Sequence, residues 1–243
     1  MSINFSLVLP CYNEESNIIP LYQEFSKFAL KSEKCELIFV NNGSTDDTAK
    51  KIDEVLEKNN DNKIIIKKIT LDKNKGYGGG IWEGLKISNG KYIGWAHADL
   101  QTPLIDFFKL FTIINGKNRI FGKGFRTNNR GFDGIVSRFH ERFASIILGY
   151  KLREINAQPK IFSKDLMKYL TDVPANHTVL DTYVTYIALE NKFEVETIEV
   201  IFKNRLYGES KWKNKFSTFV SHIFFNFIYL FQLKFLKTKN DSE

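Results

Sequence analysis

The 243-residue sequence predicts an α/β fold, a mostly parallel sheet with helices on both faces. Three observations predict it. Short apolar runs alternate with segments of helical period through the first half of the chain. Hydrophobic residues make up 43% and charged residues 26%, a balance that buries a full core and excludes a disordered chain. The residues best suited to chemistry fall just after the apolar runs, where loops at the carboxyl ends of parallel strands gather ligands.

Residues 5–9 predict the first strand, and Pro10 closes its ladder because it has no N–H to donate. Residues 17–30 follow as a helix and 37–40 as the second strand. A helix opening near Thr45 carries acidic residues in its first turn, where they meet the positive end of the helix dipole. Strand 64–69, helix 79–87 and strand 92–95 complete a β-α-β-α order. Right-handed crossovers in that order cover both faces of the sheet. Beyond Gln101 the alternation weakens into a helix at 107–114, a strand at 120–123, a helix at 136–148 and a late strand at 194–202. Composition changes from Asn204, which divides the chain into a domain at 1–203 and a tail at 204–243.

A net charge of +7 suits anionic partners. The basic residues lack the aromatic interleaving of nucleic-acid surfaces, so no nucleic acid is expected. Cys11 and Cys35 both border apolar runs and read as buried, reduced thiols of a cytosolic chain. The first residues run straight into a strand, so no signal peptide is expected. Residues 216–233 contain no Asp, Glu, Lys or Arg and are long enough to span a membrane. Thr218, His222, Asn226 and Tyr229 nonetheless recur at helical spacing as a polar stripe, and lysines flank both ends. That pattern favours a helix lying in the membrane interface. A single-pass span and packing against a membrane partner subunit are the alternatives, and a homo-oligomer is left open.

Four motifs stand in register: Leu9-Pro10-Cys11-Tyr12-Asn13-Glu14-Glu15, Gly43-Ser44-Thr45-Asp46-Asp47-Thr48, Asn74-Lys75-Gly76-Tyr77-Gly78-Gly79-Gly80 and Ala98-Asp99-Leu100-Gln101-Thr102-Pro103. Together they resemble the family 2 glycosyltransferases of GT-A fold, most closely the branch that acts on dolichyl or polyprenyl phosphate. The resemblance covers roughly residues 5–212. It implies a GT-A nucleotide-sugar domain and inverting transfer of a hexose from a UDP- or GDP-linked donor to a polyprenyl phosphate, giving a β-linked product. It also implies a divalent metal, Mn2+ or Mg2+, and a site at the cytosolic face of a membrane.

Residue chemistry agrees with that implication. Tyr12 can stack on a nucleobase and Glu14 can accept hydrogen bonds from base or ribose, with Pro10 turning the chain toward them. The family carries two aspartates where Asn41 and Asn42 stand. An amide at 42 suits the single N3–H of uracil, a lean toward a uridine donor. Lys75, Gly76 and Gly78 belong to a glycine loop where backbone approaches a ligand closely before a helix begins. His97, Asp99 and Gln101 are the expected metal site, with Ala98 lining the donor. His97 replaces the family's first aspartate and suits Mn2+ better than Mg2+, or else contacts the ribose or diphosphate.

By resemblance, Arg126 and Arg138 hold the acceptor phosphate, and Arg142 lies one helical turn beyond. Gln158 borders the sugar, and Asp181 is a base or a sugar contact. Arg205 and Lys211 belong to a late loop that covers the diphosphate. Two other readings carry different chemistry. Transfer to a glycan hydroxyl would need a true general base, with Asp181 essential. A catalytically lapsed nucleotide-sugar-binding protein would explain Asn41, Asn42 and His97.

Overall fold

Seven strands form one sheet in the order β3-β2-β1-β4-β6-β5-β7. They are β1 (Phe5–Cys11), β2 (Cys35–Asn41), β3 (Ile64–Thr70), β4 (Tyr92–Trp95), β5 (Ile120–Arg126), β6 (Lys160–Ser163) and β7 (Glu194–Val200). This computed structural model describes residues 2–29, 34–128, 131–171, 173, 179–203 and 228–234. Strands β1 to β4 pair in parallel, as do β5 and β7. Strand β6 runs antiparallel to both β4 and β5.

Alternation along the strands sorts side chains into two cores. Phe5, Leu7 and Leu9 of β1 pack on one face with α1 (Glu15–Ala29), α2 (Thr48–Lys58) and α4 (Leu104–Ile114). Val8, between them, points to the other face with α3 (Gly76–Lys86), α5 (Gly131–Leu148) and α6 (Leu180–Glu190). The expected α/β fold is present, with a mixed, mostly parallel sheet.

Three differences from the sequence expectation matter for the site. The glycine run is no loop: Gly76 to Gly80 form the opening turns of α3. A Cβ on Gly80 would come within 3.0 Å of Asn42 Nδ2 and 3.2 Å of Pro10 Cβ, so the glycine lets the helix press onto the ends of β1 and β2. Strand β6 was not expected, because Lys160 interrupts its apolar pattern. The tail is not wholly separate from the body. Residues 228–234 are helical, and Leu230 and Leu233 are buried in the second core while Ile228 and Phe231 stay exposed. Tyr229, expected in a polar stripe, packs against that core as well. Residues 216–227 lie outside the described residues. Among those described, no helix is long and apolar enough to cross a membrane.

Candidate active site

The loops after β1 and β2 are fastened to each other by side-chain-to-backbone hydrogen bonds. Asn13, in the left-handed region at φ 55°, accepts from the Thr45 N–H at 2.8 Å and donates its own N–H to Ser44 Oγ at 3.1 Å. The Glu14 N–H donates to Thr48 Oγ1 at 2.8 Å, and Glu15 Oε2 accepts from the Asp47 N–H at 2.8 Å. Glu14 Oε2 also accepts from Asn17 Nδ2 at 2.5 Å. Pro10 and Tyr12 sit half-buried on this braced loop.

Asn42 holds the start of α3. Its Nδ2 donates to Gly76 O at 2.9 Å and Asn74 Oδ1 at 3.2 Å, and its Oδ1 accepts from the Lys75 N–H at 2.9 Å. A carboxylate there would face two acceptors with no proton to offer. This geometry explains the amide at 42. Asn41 is different: its Oδ1 only accepts, from the Ser44 N–H at 3.1 Å, which an aspartate could also do. Lys75 pairs with Glu83 of its own helix at 2.9 Å.

The loop leaving β4 carries His97, Ala98, Asp99 and Gln101. Asp99 is buried, and its Oδ1 accepts from the Gln101 N–H at 3.1 Å. Gln101 grips the chain beyond β7: its Nε2 donates to Lys203 O at 3.0 Å, and the Lys203 N–H donates to Gln101 O at 2.9 Å. His97 lies between two aromatics, stacked on Tyr77 at 5.3 Å and edge-on to Phe202 at 6.5 Å. Among the described residues no cluster of three or more His, Cys, Asp or Glu is placed to hold a metal ion. Asp99 and His97 offer one anion and one imidazole, so a cation bound here would draw further ligands from a diphosphate.

The inner wall is made by β5, β6 and α6. Lys160 is fully buried and pairs with Asp181 Oδ1 at 2.5 Å, while also donating to Ala157 O at 3.0 Å. Burial holds the Lys160 ammonium below its usual pKa, against the opposing pull of Asp181. Gln158 Nε2 donates to Tyr77 Oη at 2.7 Å and to Asp181 Oδ1 at 3.1 Å. Burial, and then the Asp181 charge, push the Tyr77 phenol well above its ordinary range. Deeper in, Lys123 donates to the carbonyls of Arg153 and Glu154. Its pKa is lowered to about 8, by burial first and then by Lys160 directly across the strand pair.

Arg126 ends β5 beside this wall, buried, with its Nε on Glu154 Oε2 at 2.5 Å. Arg138 and Arg142 are on α5, and both are exposed. The structure therefore brings Pro10, Asn42, Lys75, Gly76 and Gly78 together around the start of α3, and Tyr77 of the same turn links them to His97, Gln158 and Asp181. Arg205 and Lys211 lie outside the described residues. Sequence reasoning missed Tyr77, Lys160 and the Phe202–Lys203 strut. A lysine within an apolar strand-like run, Lys160 before Ile161 and Phe162, was the available signal for one of them.

Comparison with known proteins places this geometry. Residues 6–165 match the model of glycosyl transferase family 2. A dolichyl-phosphate beta-glucosyltransferase of Dictyostelium discoideum is 31% identical over 120 residues, 47% of this chain and 36% of that protein. An undecaprenyl-phosphate 4-deoxy-4-formamido-L-arabinose transferase of Proteus mirabilis is 26% identical over 213 residues, 85% of this chain and 62% of that protein. The chain thus spans between about a third and just under two thirds of the length of these two relatives. The fold is shared with glucosyl-3-phosphoglycerate synthase of Mycobacterium tuberculosis, solved with Mg2+ and uridine diphosphate. The TM-score is 0.64 at 18% identity, covering 85% of this chain and 73% of that one. It is shared also with TarS of S. aureus in complex with UDP-GlcNAc, with TM-score 0.59, 20% identity and 88% and 62% covered. Four motifs in order, a GT-A-like α/β sheet and a family match over 6–165 agree, and the chain belongs to glycosyl transferase family 2.

Proposed function

We propose that this enzyme transfers a hexose from a UDP- or GDP-linked donor to a polyprenyl phosphate at the cytosolic face of a membrane, assisted by Mn2+ or Mg2+. The observation that carries the donor side is the Tyr77–His97 stack with Gln158 bonded to Tyr77. It joins the α3 glycine turn, the Asp99 loop and the inner wall at one place. Pro10, Tyr12 and Glu14 border the base and ribose, while Asn42, Lys75, Gly76 and Gly78 shape the floor beneath the diphosphate. Ala98 lines the donor, Gln158 faces the sugar, and Arg205 and Lys211 are assigned to the diphosphate. Asp99, with His97 and Gln101 beside it, would hold the metal, which supplies charge neutralisation for the leaving diphosphate.

The acceptor oxygen is already anionic, so it attacks the anomeric carbon without a base. The new C–O bond to phosphate forms as the bond to the diphosphate breaks. Asp181, held by Lys160 and Gln158, then serves as a sugar-side anchor. Arg126 Nη2 is buried with no hydrogen-bond partner among the described residues, which suits an incoming phosphate oxygen. Arg138 would meet the same phosphate from α5.

The lipid assignment draws on the relatives' acceptors and on one surface. On α5, Arg138 and Arg142 alternate with Phe139 and Ile146, exposed at 64% and 78%. Phe143 of the same helix meets Phe231 of the tail edge-on at 6.3 Å. Basic and apolar groups on one face suit an anionic lipid surface. In this reading residues 1–203 are the catalytic domain, and 204–243 hold it at the interface.

The test is a panel of nucleotide-sugars with a short polyprenyl phosphate and the full-length chain, with and without Mn2+ or Mg2+. Metal-dependent release of nucleotide with a glycosyl-phospholipid product is expected. Transfer to a sugar hydroxyl with indifference to the lipid phosphate would overturn the acceptor assignment.

A further inference from the structure

We propose that Tyr77 and the buried Lys160–Asp181 pair are positioning residues, holding the Gln158 amide so that its oxygen receives a hydroxyl of the donor sugar. The inference rests on the glycosyl-transfer reading above. It begins with an amide that has one allowed orientation. Gln158 Nε2 has two hydrogens, and Tyr77 Oη at 2.7 Å and Asp181 Oδ1 at 3.1 Å take them. Turning the amide over would set its oxygen against the Asp181 carboxylate, which offers no proton while Lys160 pairs with it at 2.5 Å. Lys160 also bonds Ala157 O at 3.0 Å, fixing the backbone just before Gln158.

The oxygen left over has no partner. Gln158 is 2% exposed, and its Oε1 is buried without a hydrogen bond among the described residues. A buried acceptor left unsatisfied costs about 1–3 kcal/mol, so the site favours a ligand that brings a donor. Its place in the sheet says where. Trp95 pairs with Lys160 where β4 and β6 end, and His97 and Gln158 each lie two residues beyond that last pair. Tyr77, bonded to Gln158, stacks on the same His97. Strand β5 closes in from behind, because Gly124 has no Cβ to strike Gln158 O, which would lie 2.4 Å away. The orphan oxygen therefore belongs at the entrance of the Asp99 loop.

Charge decides the class of donor. Lys160 and Asp181 balance each other inside the wall, so the Gln158 oxygen calls for a neutral O–H. A sugar hydroxyl fits, and the nucleotide's phosphates do not. The prediction is a split between two ligands of the same protein. Binding of UDP, UDP-glucose, GDP and GDP-mannose would be measured by calorimetry in Mn2+ for wild type, Tyr77→Phe and Gln158→Met. Both variants should bind the preferred nucleotide-sugar about tenfold more weakly while the bare nucleotide stays within about twofold. The double variant Lys160→Met/Asp181→Leu keeps an uncharged, filled wall, and should show the same split if Gln158 loses its anchor. Equal weakening of nucleotide and nucleotide-sugar, or no weakening in Tyr77→Phe, would overturn the proposal. A wild-type chain that binds neither nucleotide would overturn the glycosyl-transfer reading itself, a result distinct from either.

Discussion

The wall formed by the loops after β1 and β2 is held by amides and hydroxyls bonded to backbone, with Asn13, Asn42 and Thr48 as fasteners. The wall formed by β5, β6 and α6 is held by the buried ions Lys123, Arg126, Lys160 and Asp181, with half-buried Glu154. The difference follows from what surrounds each. Loop backbone leaves N–H and C=O groups that short polar side chains satisfy at small cost. Inside a sheet the strand backbone is already paired, so buried cations turn to carboxylates or to the loop carbonyls before β6. The first wall should tolerate conservative changes with graded loss. The second should fail abruptly when one member of a pair is removed.

The largest expected effect lies between the walls. Asp99→Ala removes the carboxylate of the β4 loop and should lower transfer by about 10³-fold. It should also abolish Mn2+ binding in the presence of nucleotide, followed by electron paramagnetic resonance. Unchanged Mn2+ binding would remove Asp99 from the metal site.

Next comes the inner wall. Lys160→Met leaves Asp181 charged and buried without its partner, and should cost about 3–5 kcal/mol in urea unfolding. Removing both charges in Lys160→Met/Asp181→Leu should recover most of that loss, because a filled apolar pair carries no desolvation penalty. A double variant no more stable than the single one would show that the pair is not a unit.

The first wall is tested by Asn42→Asp. The carboxylate keeps the bond from the Lys75 N–H and loses both donations, to Gly76 O and Asn74 Oδ1. A loss of about 1–2 kcal/mol is expected, seen as faster hydrogen exchange at residues 74–76 and weaker nucleotide binding. An unchanged exchange rate there would mean that the clasp is not what holds the turn.

These contrasts also explain what the sequence made legible. The β-α alternation, the four motifs and their place at strand ends were visible because period and turn chemistry are local. The amide at 42 was visible as a departure, yet its reason was not, since Gly76 and Asn74 lie more than thirty residues away. Strand β6 and the Lys160–Asp181 pair were hidden for a stronger reason. A lysine reads as solvent-facing unless its partner is known, and Asp181 comes 21 residues later on another element. Tyr77 stood inside a quoted motif, where its glycine neighbours drew the attention. The end of the tail hid its packing in the same way: Leu230 and Leu233 stand in a charge-free run that suits membrane contact, and both belong to the protein's own core.

The smallest expected effect is a pH dependence, and it belongs to the inner wall. Lys123 sits between Arg126 on its own strand, Lys160 across β6, Glu141 on α5 and Glu154 before β6. Burial and the two cations outweigh the carboxylates and lower it to about 8. Below that value folded and unfolded chains both carry the charge, and the folded state bears the full cost of burying it. Between about 8 and the ordinary lysine value near 10.4 the unfolded chain keeps a proton that the folded chain has released. The unfolded state then binds more protons, so this group makes stability rise with pH. Cys11 and Cys35, whose thiols burial pushes upward, work in the opposite direction once unfolded thiols ionise. The measurement is therefore a difference. Wild type and Lys123→Met are unfolded in urea from about pH 7.5 to about pH 9, and the cysteine contribution, common to both, cancels. Wild type should gain about 1 kcal/mol on the variant across that range. Parallel curves would mean that Lys123 keeps its proton within the sheet, held by the carbonyls of Arg153 and Glu154, and the inner wall would then carry one more fixed charge than assigned here.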